Sequence, residues 1–435
     1  MPAQPATARR YLRALALALL ALLGSVALFC GLVDPYGIIG TPTAPHLTAR
    51  KLAAADRPRL SKPYRVEHMH PSTVLLGSST TNIGFDPDSP AWPQARRPVF
   101  NMGIDGSSLD GEAHFLRHTL ALAEPGLVVM CVAFEDSMVS PRGRLTAATA
   151  AMYAFEPRMR VGADGSPNPG YQLGRAQDWV FALLSLPALT DSVRTLLGQE
   201  RSTVDVQTAA GFDEGARFMR WTASDGAAAL FGQKDIEKAR DILRWQREKR
   251  VEIDGVRTAI LAARAAGAKV VVAITPAHAD QMEVRRQLGL AAPMQAWRRD
   301  LARLVADAAA ETGGDAYTTL WDFDGYSPYT TESLPPPGDT SHALRWFFET
   351  VHFRPALGTL MIQRMLGGDS PADLGAMLTP ATVDESGARN DAAQRAWVAA
   401  HPTDVARIAG IVAAARQAEC QTNPASCGTP VAAAR

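Results

Sequence analysis

The apolar and polar positions of the chain divide it into one long uncharged run followed by shorter segments of two kinds. Residues 14–33 carry no charge, and as a helix these twenty residues would extend about 30 Å, the thickness of the hydrocarbon core of a bilayer. Three arginines lie within residues 9–13, and the next basic residue is Arg50. This asymmetry predicts a transmembrane anchor with residues 1–13 in the cytosol and the rest of the chain across the membrane.

A cleaved secretory signal is the alternative to an anchor. Such a signal needs small residues just after its apolar run, and residues 29–35 (FCGLVDP) do not provide a suitable cleavage site. We therefore expect the helix to stay attached. Seven prolines and glycines distributed over residues 34–70 break any long periodicity, which predicts a tether between the anchor and the folded region.

Short apolar strands then alternate with amphipathic helices. The predicted strands are residues 72–76, 97–101, 127–134, 269–274 and 317–323, and the predicted helices are residues 110–123, 254–266, 294–312 and 355–366. This alternation is typical of βαβ units. It predicts an α/β fold in which residues 71–140 and 245–366 form a three-layer, doubly wound parallel sheet.

Two further regions do not follow this alternation. Residues 141–244 show mixed helical patches with glycine and proline breaks, which predicts a mostly helical insertion into the sheet domain. Residues 367–435 are rich in alanine and predict a helical C-terminal tail. In that tail, Cys420 and Cys427 are close enough in sequence to close a small disulfide loop in an oxidising compartment, and the sequence leaves open whether they do.

The charge balance and the missing motifs narrow the function. The chain has 44 Lys and Arg residues against 44 Asp and Glu residues without a basic cluster, so we expect no nucleic-acid partner. The sequence contains no His-Glu-x-x-His motif, no phosphate-binding loop and no Gly-x-Ser-x-Gly motif. We therefore expect neither a metal nor another cofactor.

Candidate chemistry lies at the carboxyl ends of the predicted strands, where ligands bind in doubly wound sheets. Polar side chains follow all five strands: Ser78 and Ser79, Asp105, Glu135 and Asp136, Thr275 and His278, and Asp322 and Asp324. A serine at a strand-to-helix turn can act as a nucleophile when an imidazole accepts its proton and a carboxylate orients that imidazole. Glu349 and His352, three residues apart, can supply these two groups from one face of a turn. The alternatives are a helix cap for the serines and a solvated helix face for Glu349 and His352.

Three short blocks, in this order, resemble those of the SGNH (GDSL-like) hydrolases. Residues 76–79 (LGSS) resemble the first block and put Ser79 at the nucleophile position. Residues 101–106 (NMGIDG) resemble the second block. The resemblance implies that the backbone N–H of Gly106 binds the oxyanion together with that of Ser79.

The last of these blocks would complete the catalytic group. Residues 349–353 (ETVHF) resemble it, with Glu349 in place of the usual aspartate. The resemblance implies that His352 accepts the proton of the nucleophile and that Glu349 orients its ring. It also implies the SGNH version of the doubly wound, flavodoxin-like sheet.

One block departs from the family. The third block normally supplies an Asn side chain to the oxyanion hole, and residues 133–136 (AFED) contain no Asn. Glu135 is nearest to that position, where an ionised carboxylate would repel an oxyanion. Three explanations remain open: Asn82 or the Ser79 amide replaces the donor, Glu135 is protonated, or the protein is a weak or inactive relative. The candidate substrate-binding residues are Ser78, Asn82, Asp105, Glu135, His278 and Trp346.

Three wider strings, residues 77–87 (GSSTTNIGFDP), 321–326 (WDFDGY) and 347–358 (FFETVHFRPALG), resemble bacterial membrane-anchored envelope proteins in the style of the alginate O-acetyltransferase-like group. This resemblance implies a single-pass inner-membrane protein with a periplasmic serine esterase or O-acyltransferase domain, whose substrates are an acyl donor and a cell-envelope or secreted polysaccharide. Two alternatives remain. One is a non-catalytic glycan-binding module, and the other is an assembly subunit that partners a membrane-bound O-acyltransferase.

Overall fold

Six strands form one mixed sheet in this computed structural model, which describes residues 5–138, 156–200, 205–246, 250–314 and 316–423. The strands are β1 (Thr73–Leu76), β2 (Val99–Asn101), β3 (Leu127–Val132), β4 (Lys269–Ile274), β5 (Thr318–Asp322) and β6 (Ala376–Leu378). Their order across the sheet is β2-β1-β3-β4-β5-β6. Strands β1 to β5 are parallel, and β6 pairs antiparallel with β5. The predicted α/β fold is confirmed, but the sheet is mixed rather than wholly parallel.

The helices of the described residues either cover a face of this sheet or pack on other helices. They are α1 (Pro5–Val33), α2 (Leu52–Asp56), α3 (Pro58–Met69), α4 (Ser79–Gly84), α5 (Leu109–Leu120), α6 (Tyr171–Leu184), α7 (Leu186–Leu197), α8 (Ala216–Asp225), α9 (Ala227–Gln246), α10 (Asp254–Ala265), α11 (Ala279–Gln287), α12 (Ala291–Glu311), α13 (Pro355–Leu366), α14 (Val383–Ala400) and α15 (Pro402–Thr422). Short 3₁₀ helices occur at Gln94–Arg96, Glu135–Ser137 and Glu156–Arg158.

The central strands β3 and β4 are buried on both faces. Val128 and Met130 belong to a core cluster that also contains residues of α5, α10 and α12. Val129 and Cys131 point the other way, into a second cluster with residues of α9 and α13. Continuous Val-rich runs are typical of parallel strands covered on both sides. Because β1 to β5 are parallel, their carboxyl ends, with the polar residues that follow them, lie at the same edge of the sheet.

The N-terminal helix differs from all of these in its surroundings. Within α1, Ala8–Val33 is long and apolar enough to cross a membrane. Its residues 8–25 are exposed, whereas Cys30 and Val33 near its end are buried against the folded part of the chain. The structure therefore contains a possible transmembrane helix at the predicted position.

The segment that follows α1 is folded, so the prediction of a tether over residues 34–70 is wrong. The Asp34 carboxylate accepts the backbone N–H of Ile38 at 2.9 Å, and α2 and α3 then bury most of their side chains. Proline was a misleading signal here. Pro58 begins α3, where a missing N–H costs nothing, and Pro63 interrupts only one bond of a helix held by burial of its neighbours.

The insertion and the C-terminal region are folded onto the sheet domain. Of the insertion, residues 156–200 and 205–244 lie within the described ranges, and they contain α6, α7, α8 and most of α9. After α13, the chain adds β6 and then α14 and α15. Arg407 on α15 pairs with Asp235 of α9 at 3.4 Å, and Ile408 joins the first core cluster. Cys420 is disulfide-bonded. Cys427 lies outside the described residues.

Candidate active site

A tight turn after β1 presents Ser79 at the edge of the sheet. Gly77 has φ +150°, and a Cβ atom there would lie 2.0 Å from Thr81 Oγ1 and 3.1 Å from the carbonyl oxygen of Cys131. Only glycine fits this position. Ser78 is the N-cap residue of α4, and Ser79 is its first residue, half-buried.

The loop before α13 brings an imidazole and a carboxylate to this serine. His352 Nε2 lies 2.7 Å from Ser79 Oγ, and His352 Nδ1 makes a short contact with Glu349 Oε1. The same carboxylate accepts the backbone N–H groups of His352 at 3.0 Å and Val351 at 3.3 Å. The carboxylate therefore holds both the loop and the ring. With Nδ1–H donating to Glu349, Nε2 is left to accept the hydroxyl proton of Ser79.

Glu349 is ionised in this setting. Its side chain is fully buried, which by itself would raise its pKa, but the charge and the hydrogen bond of His352 lower the pKa below its ordinary value. A permanent negative charge beside Nδ1 stabilises the imidazolium that forms when His352 takes a proton. The ring of Phe218 packs against the imidazole with centroids 5.0 Å apart. The insertion thus contributes a wall of the site, which the sequence did not reveal.

Two backbone amides near Ser79 are available to an anion. Among the described residues, neither the N–H of Ser79 nor that of Gly106 donates a hydrogen bond. Gly106 has φ +66°, and a Cβ atom placed on it would meet nothing within 4 Å, so the space beside it is open. These residues follow β1 and β2, which are neighbours in the sheet.

The Asn82 side chain, in contrast, is held by hydrogen bonds on both its oxygen and its nitrogen. Its Nδ2 donates to Asp105 Oδ1 at 2.9 Å, and its Oδ1 accepts from Lys62 Nζ at 2.8 Å. Lys62 also donates to the carbonyl of Gly103, and burial lowers its pKa to about 7. Asp105 is paired with Arg217 of the insertion at 3.1 Å. Asn82 and Asp105 are therefore bound to each other and to basic side chains, and one of the two Nδ2 hydrogens of Asn82 is committed to Asp105.

Glu135 belongs to a buried ion network. Both of its oxygens accept from Arg285 at 2.7 Å, and Gln281 donates to it at 3.0 Å. Burial would raise the pKa of Glu135, but the charge of Arg285 outweighs burial and the pKa is lowered. A protonated Glu135 is thus contradicted. Arg285 also pairs with Asp324 at 3.1 Å, and Arg298 joins Asp324 to Asp322, which makes these aspartates part of the same network.

The neighbouring serine makes a different contact from Ser79. Ser78 Oγ donates to Asp136 Oδ2 at 3.2 Å, and the same oxygen accepts the backbone N–H of Ala133 at 3.0 Å. Burial raises the pKa of Asp136 to about 7. Of the two serines, Ser79 is the one in contact with His352.

The two remaining candidate residues, His278 and Trp346, contact residues other than Ser79. His278 is buried, accepts the N–H of Asp280, contacts the Glu332 carbonyl through Nε2 at 2.8 Å, and donates its own backbone N–H to Thr350 at 2.9 Å. It therefore supports the loop between Glu349 and His352. Trp346 packs against Tyr329 and Arg345, with ring centroids 5.3 Å apart in the first pair.

Comparisons with protein-family models, with curated proteins and with solved structures return no match to this chain. Among the described residues, no group of three or more His, Cys, Asp and Glu side chains could hold a metal ion. A cavity of about 980 Å³ is present, but it lies between β5, α12 and α14 and does not include Ser79 or His352.

Proposed function

We propose that this chain is a membrane-anchored, SGNH-like serine esterase or O-acyltransferase that acts on a cell-envelope or secreted polysaccharide. The observation that carries the proposal is the hydrogen-bonded series from Ser79 through His352 to Glu349. A hydroxyl, an imidazole and a buried carboxylate in this order form the arrangement that activates serine for acyl transfer. The glycan rests on the resemblance of the sequence blocks, and the location rests on that resemblance together with the apolar helix α1 and the arginines near its start.

The reaction begins when Ser79 Oγ attacks the acyl carbonyl and its proton passes to His352 Nε2. The N–H groups of Ser79 and Gly106 hold the oxyanion. When the ester bond breaks, His352 returns the proton to the leaving alcohol, and the acyl group remains on Ser79. Water or a sugar hydroxyl then attacks this acyl-enzyme and gives its proton to His352. The bond between the acyl group and Ser79 Oγ breaks, His352 returns the proton to Ser79 Oγ, and the acyl group leaves on the water or the sugar. Glu349 stays ionised throughout.

The anchor places this chemistry at a membrane. The arginines before residue 14 favour a cytosolic N-terminus, so the Ser79 domain would lie in the periplasm beside the inner membrane. A membrane-bound O-acyltransferase is the partner that could hand over an acyl group in this location.

A second candidate function is a catalytically weak subunit that binds glycan or assembles with such an acyltransferase. The observation that favours it is the oxyanion site. Against the effect of burial, the charge of Arg285 leaves Glu135 with a lowered pKa at the position of the expected Asn donor, and Asn82 directs one of its two Nδ2 hydrogens to Asp105. Loss of one oxyanion donor lowers kcat by about 10² to 10³. Under the main proposal the enzyme is therefore slow but still forms an acyl-enzyme.

The test is covalent labelling of the full-length protein in detergent by a fluorophosphonate. Wild-type protein should label at Ser79, and Ser79→Ala should not label. Ser78→Ala is the matched control, because it removes an adjacent hydroxyl that contacts Asp136 instead of His352. It should still label and still cleave p-nitrophenyl acetate.

Equal labelling of Ser79→Ala and wild type would refute the serine mechanism. A wild type that neither labels nor cleaves the ester, but binds glycan or co-purifies with a membrane-bound acyltransferase, would favour the second candidate.

A further inference from the structure

The helices α6 and α7 expose apolar side chains on the side that faces away from the rest of the chain. They meet at Ser185 with a bend of 60°. Large apolar side chains, between 38% and 71% exposed, cover their outer side: Leu173, Trp179, Val180, Leu184, Leu186, Val193 and Leu197. A helix pair on a water-exposed surface places polar side chains there instead.

Three of the four charged side chains of the pair, those of Arg175, Asp178 and Asp191, contact the folded part of the chain. Asp178 accepts the hydroxyl of Tyr64 at 2.7 Å and pairs with Arg158, and Asp191 accepts the hydroxyl of Tyr36 at 2.7 Å. Within residues 171–197, all of which the structure describes, the exposed charged side chain is Arg194, and the exposed uncharged polar side chains are Gln172, Gln177 and Thr190. The outer face is therefore predominantly apolar.

The pair is packed against the end of α1. Phe29 and Cys30 of α1 share a core cluster with Phe181 and Ala188 of the pair. A Cβ atom at Gly31 would lie 3.3 Å from Leu183 Cδ2, so the two backbones are close. The apolar outer face thus continues from the possible transmembrane helix.

The length of α1 fixes the depth of these contacts. They begin at Val26. If residues 26–33 stood outside the bilayer, the uncharged residues 14–25 would extend only about 18 Å, too short for a hydrocarbon core of about 30 Å. An α1 that crosses the membrane must therefore keep residues 26–33 inside the outer leaflet, a depth of about 12 Å. The helices α6 and α7, which pack on those residues, then lie inside the outer leaflet as well.

We infer that the outer face of α6 and α7 lies in the outer leaflet of the bilayer that α1 crosses, with lipid acyl chains against it. The inference rests on the transmembrane role of α1 in the proposed function. Neither helix spans the membrane, since 14 and 12 residues extend about 21 and 18 Å. The bent pair is an interfacial element, and such helices enter a bilayer by about 5 to 10 Å. Trp179 is the kind of side chain that anchors at the interface.

The test measures lipid contact in the full-length protein reconstituted into phosphatidylethanolamine and phosphatidylglycerol vesicles. Leu186→Cys carries a fluorophore on the outer face. Leu19→Cys reports on α1, and Met377→Cys reports on an exposed apolar position of β6, 51% exposed, as the matched control. The fluorescence of each labelled variant is measured with lipids that carry a spin-label quencher on the acyl chain and, separately, with iodide as an aqueous quencher.

Leu186→Cys should lose fluorescence with the lipid quencher as Leu19→Cys does and keep it with iodide, while Met377→Cys should do the reverse. Iodide quenching of Leu186→Cys with lipid quenching of Leu19→Cys would overturn the inference and leave the anchor intact. No lipid quenching of Leu19→Cys would overturn the anchor itself. Protection of Leu186→Cys from both quenchers would show that a second copy covers this face, and would also overturn the inference.

Discussion

Replacing Glu349 by glutamine isolates the charge of the carboxylate from its shape. In the structure, this side chain accepts the backbone N–H groups of Val351 and His352 and contacts His352 Nδ1. A glutamine oxygen can keep accepting the backbone N–H groups. It brings no negative charge, and its amide N–H₂ group facing Nδ1 favours the tautomer with the proton on Nε2. In that tautomer, His352 cannot accept the proton of Ser79.

The expected loss follows from these contacts. Removing the charge of the carboxylate in a serine triad lowers kcat by about 10⁴, which corresponds to about 5 kcal/mol of transition-state stabilisation. Glu349 is wholly buried, so water does not replace the lost charge. We therefore expect Glu349→Gln to lower kcat by about 10³ to 10⁴ with little change in KM, because the carboxylate acts only when the imidazolium forms.

The assay is p-nitrophenyl acetate turnover together with the rate of fluorophosphonate labelling, in full-length protein whose Tm is measured in parallel. Glu332→Gln is the matched control. Its carboxylate accepts the backbone N–H groups of Arg345 at 2.8 Å and Trp346 at 3.0 Å in the same loop, without touching His352. A folded Glu349→Gln protein with the kcat of Glu332→Gln would refute the assigned role of the carboxylate.

Three further substitutions test the surroundings of the site. Gly77→Ala should disrupt the turn after β1 and lower the free energy of unfolding by more than about 2 kcal/mol, because of the positive φ at this position and the contact of the new Cβ atom with Thr81. Gly232→Ala, with open space around it in α9, should leave the free energy of unfolding unchanged or raise it in the same urea titration. Burial raises the pKa of Asp136 from 3.8 to about 7, so between those values the folded state holds more protons than the unfolded state and the free energy of unfolding falls as pH rises. Asp136→Asn should make the free energy of unfolding depend less steeply on pH in urea titrations from pH 4 to 8, and an unchanged pH dependence would contradict the raised pKa of Asp136. Arg285→Met leaves Glu135 and Asp324 buried with less compensation and should cost about 3 to 5 kcal/mol, whereas Arg299→Met, which breaks only the exposed pair with Asp384, should cost less than about 1 kcal/mol. A small effect of Arg285→Met would show that the network is dispensable.

Local pattern predicted the five parallel strands, and the resemblance to the SGNH blocks singled out Ser79, Glu349 and His352, whose side chains the structure brings together. The strands are continuous apolar runs, and parallel pairing brings the residues after them to one edge. Glu349 and His352 are three residues apart, so their contact depends on a single turn. These predictions do not depend on which helices pack against the sheet.

Contacts between distant parts of the chain could not be predicted in this way. Lys62 and Arg65 look like solvated residues of a tether, yet both are buried because their partners come from residues 82, 103, 207 and 208. Phe218 reaches His352 from an insertion whose sequence carries no block to mark it. The three-residue strand β6 is too short for a period to be visible.

The buried helix α3 connects the Ser79 site to the helices that pack on α1. Tyr64 on α3 donates to Asp178 of α6, and Lys62, two residues earlier, donates to Asn82 of α4, the helix that begins with Ser79. One helix therefore bonds both to the pair that packs on α1 and to the helix that carries the hydroxyl. A flexible tether would let the Ser79 domain range over many distances from the membrane. With α3 in place, the proposed enzyme must receive its polysaccharide and its acyl donor at a fixed position relative to α1, which suits an acyl group handed over by a partner in the same membrane.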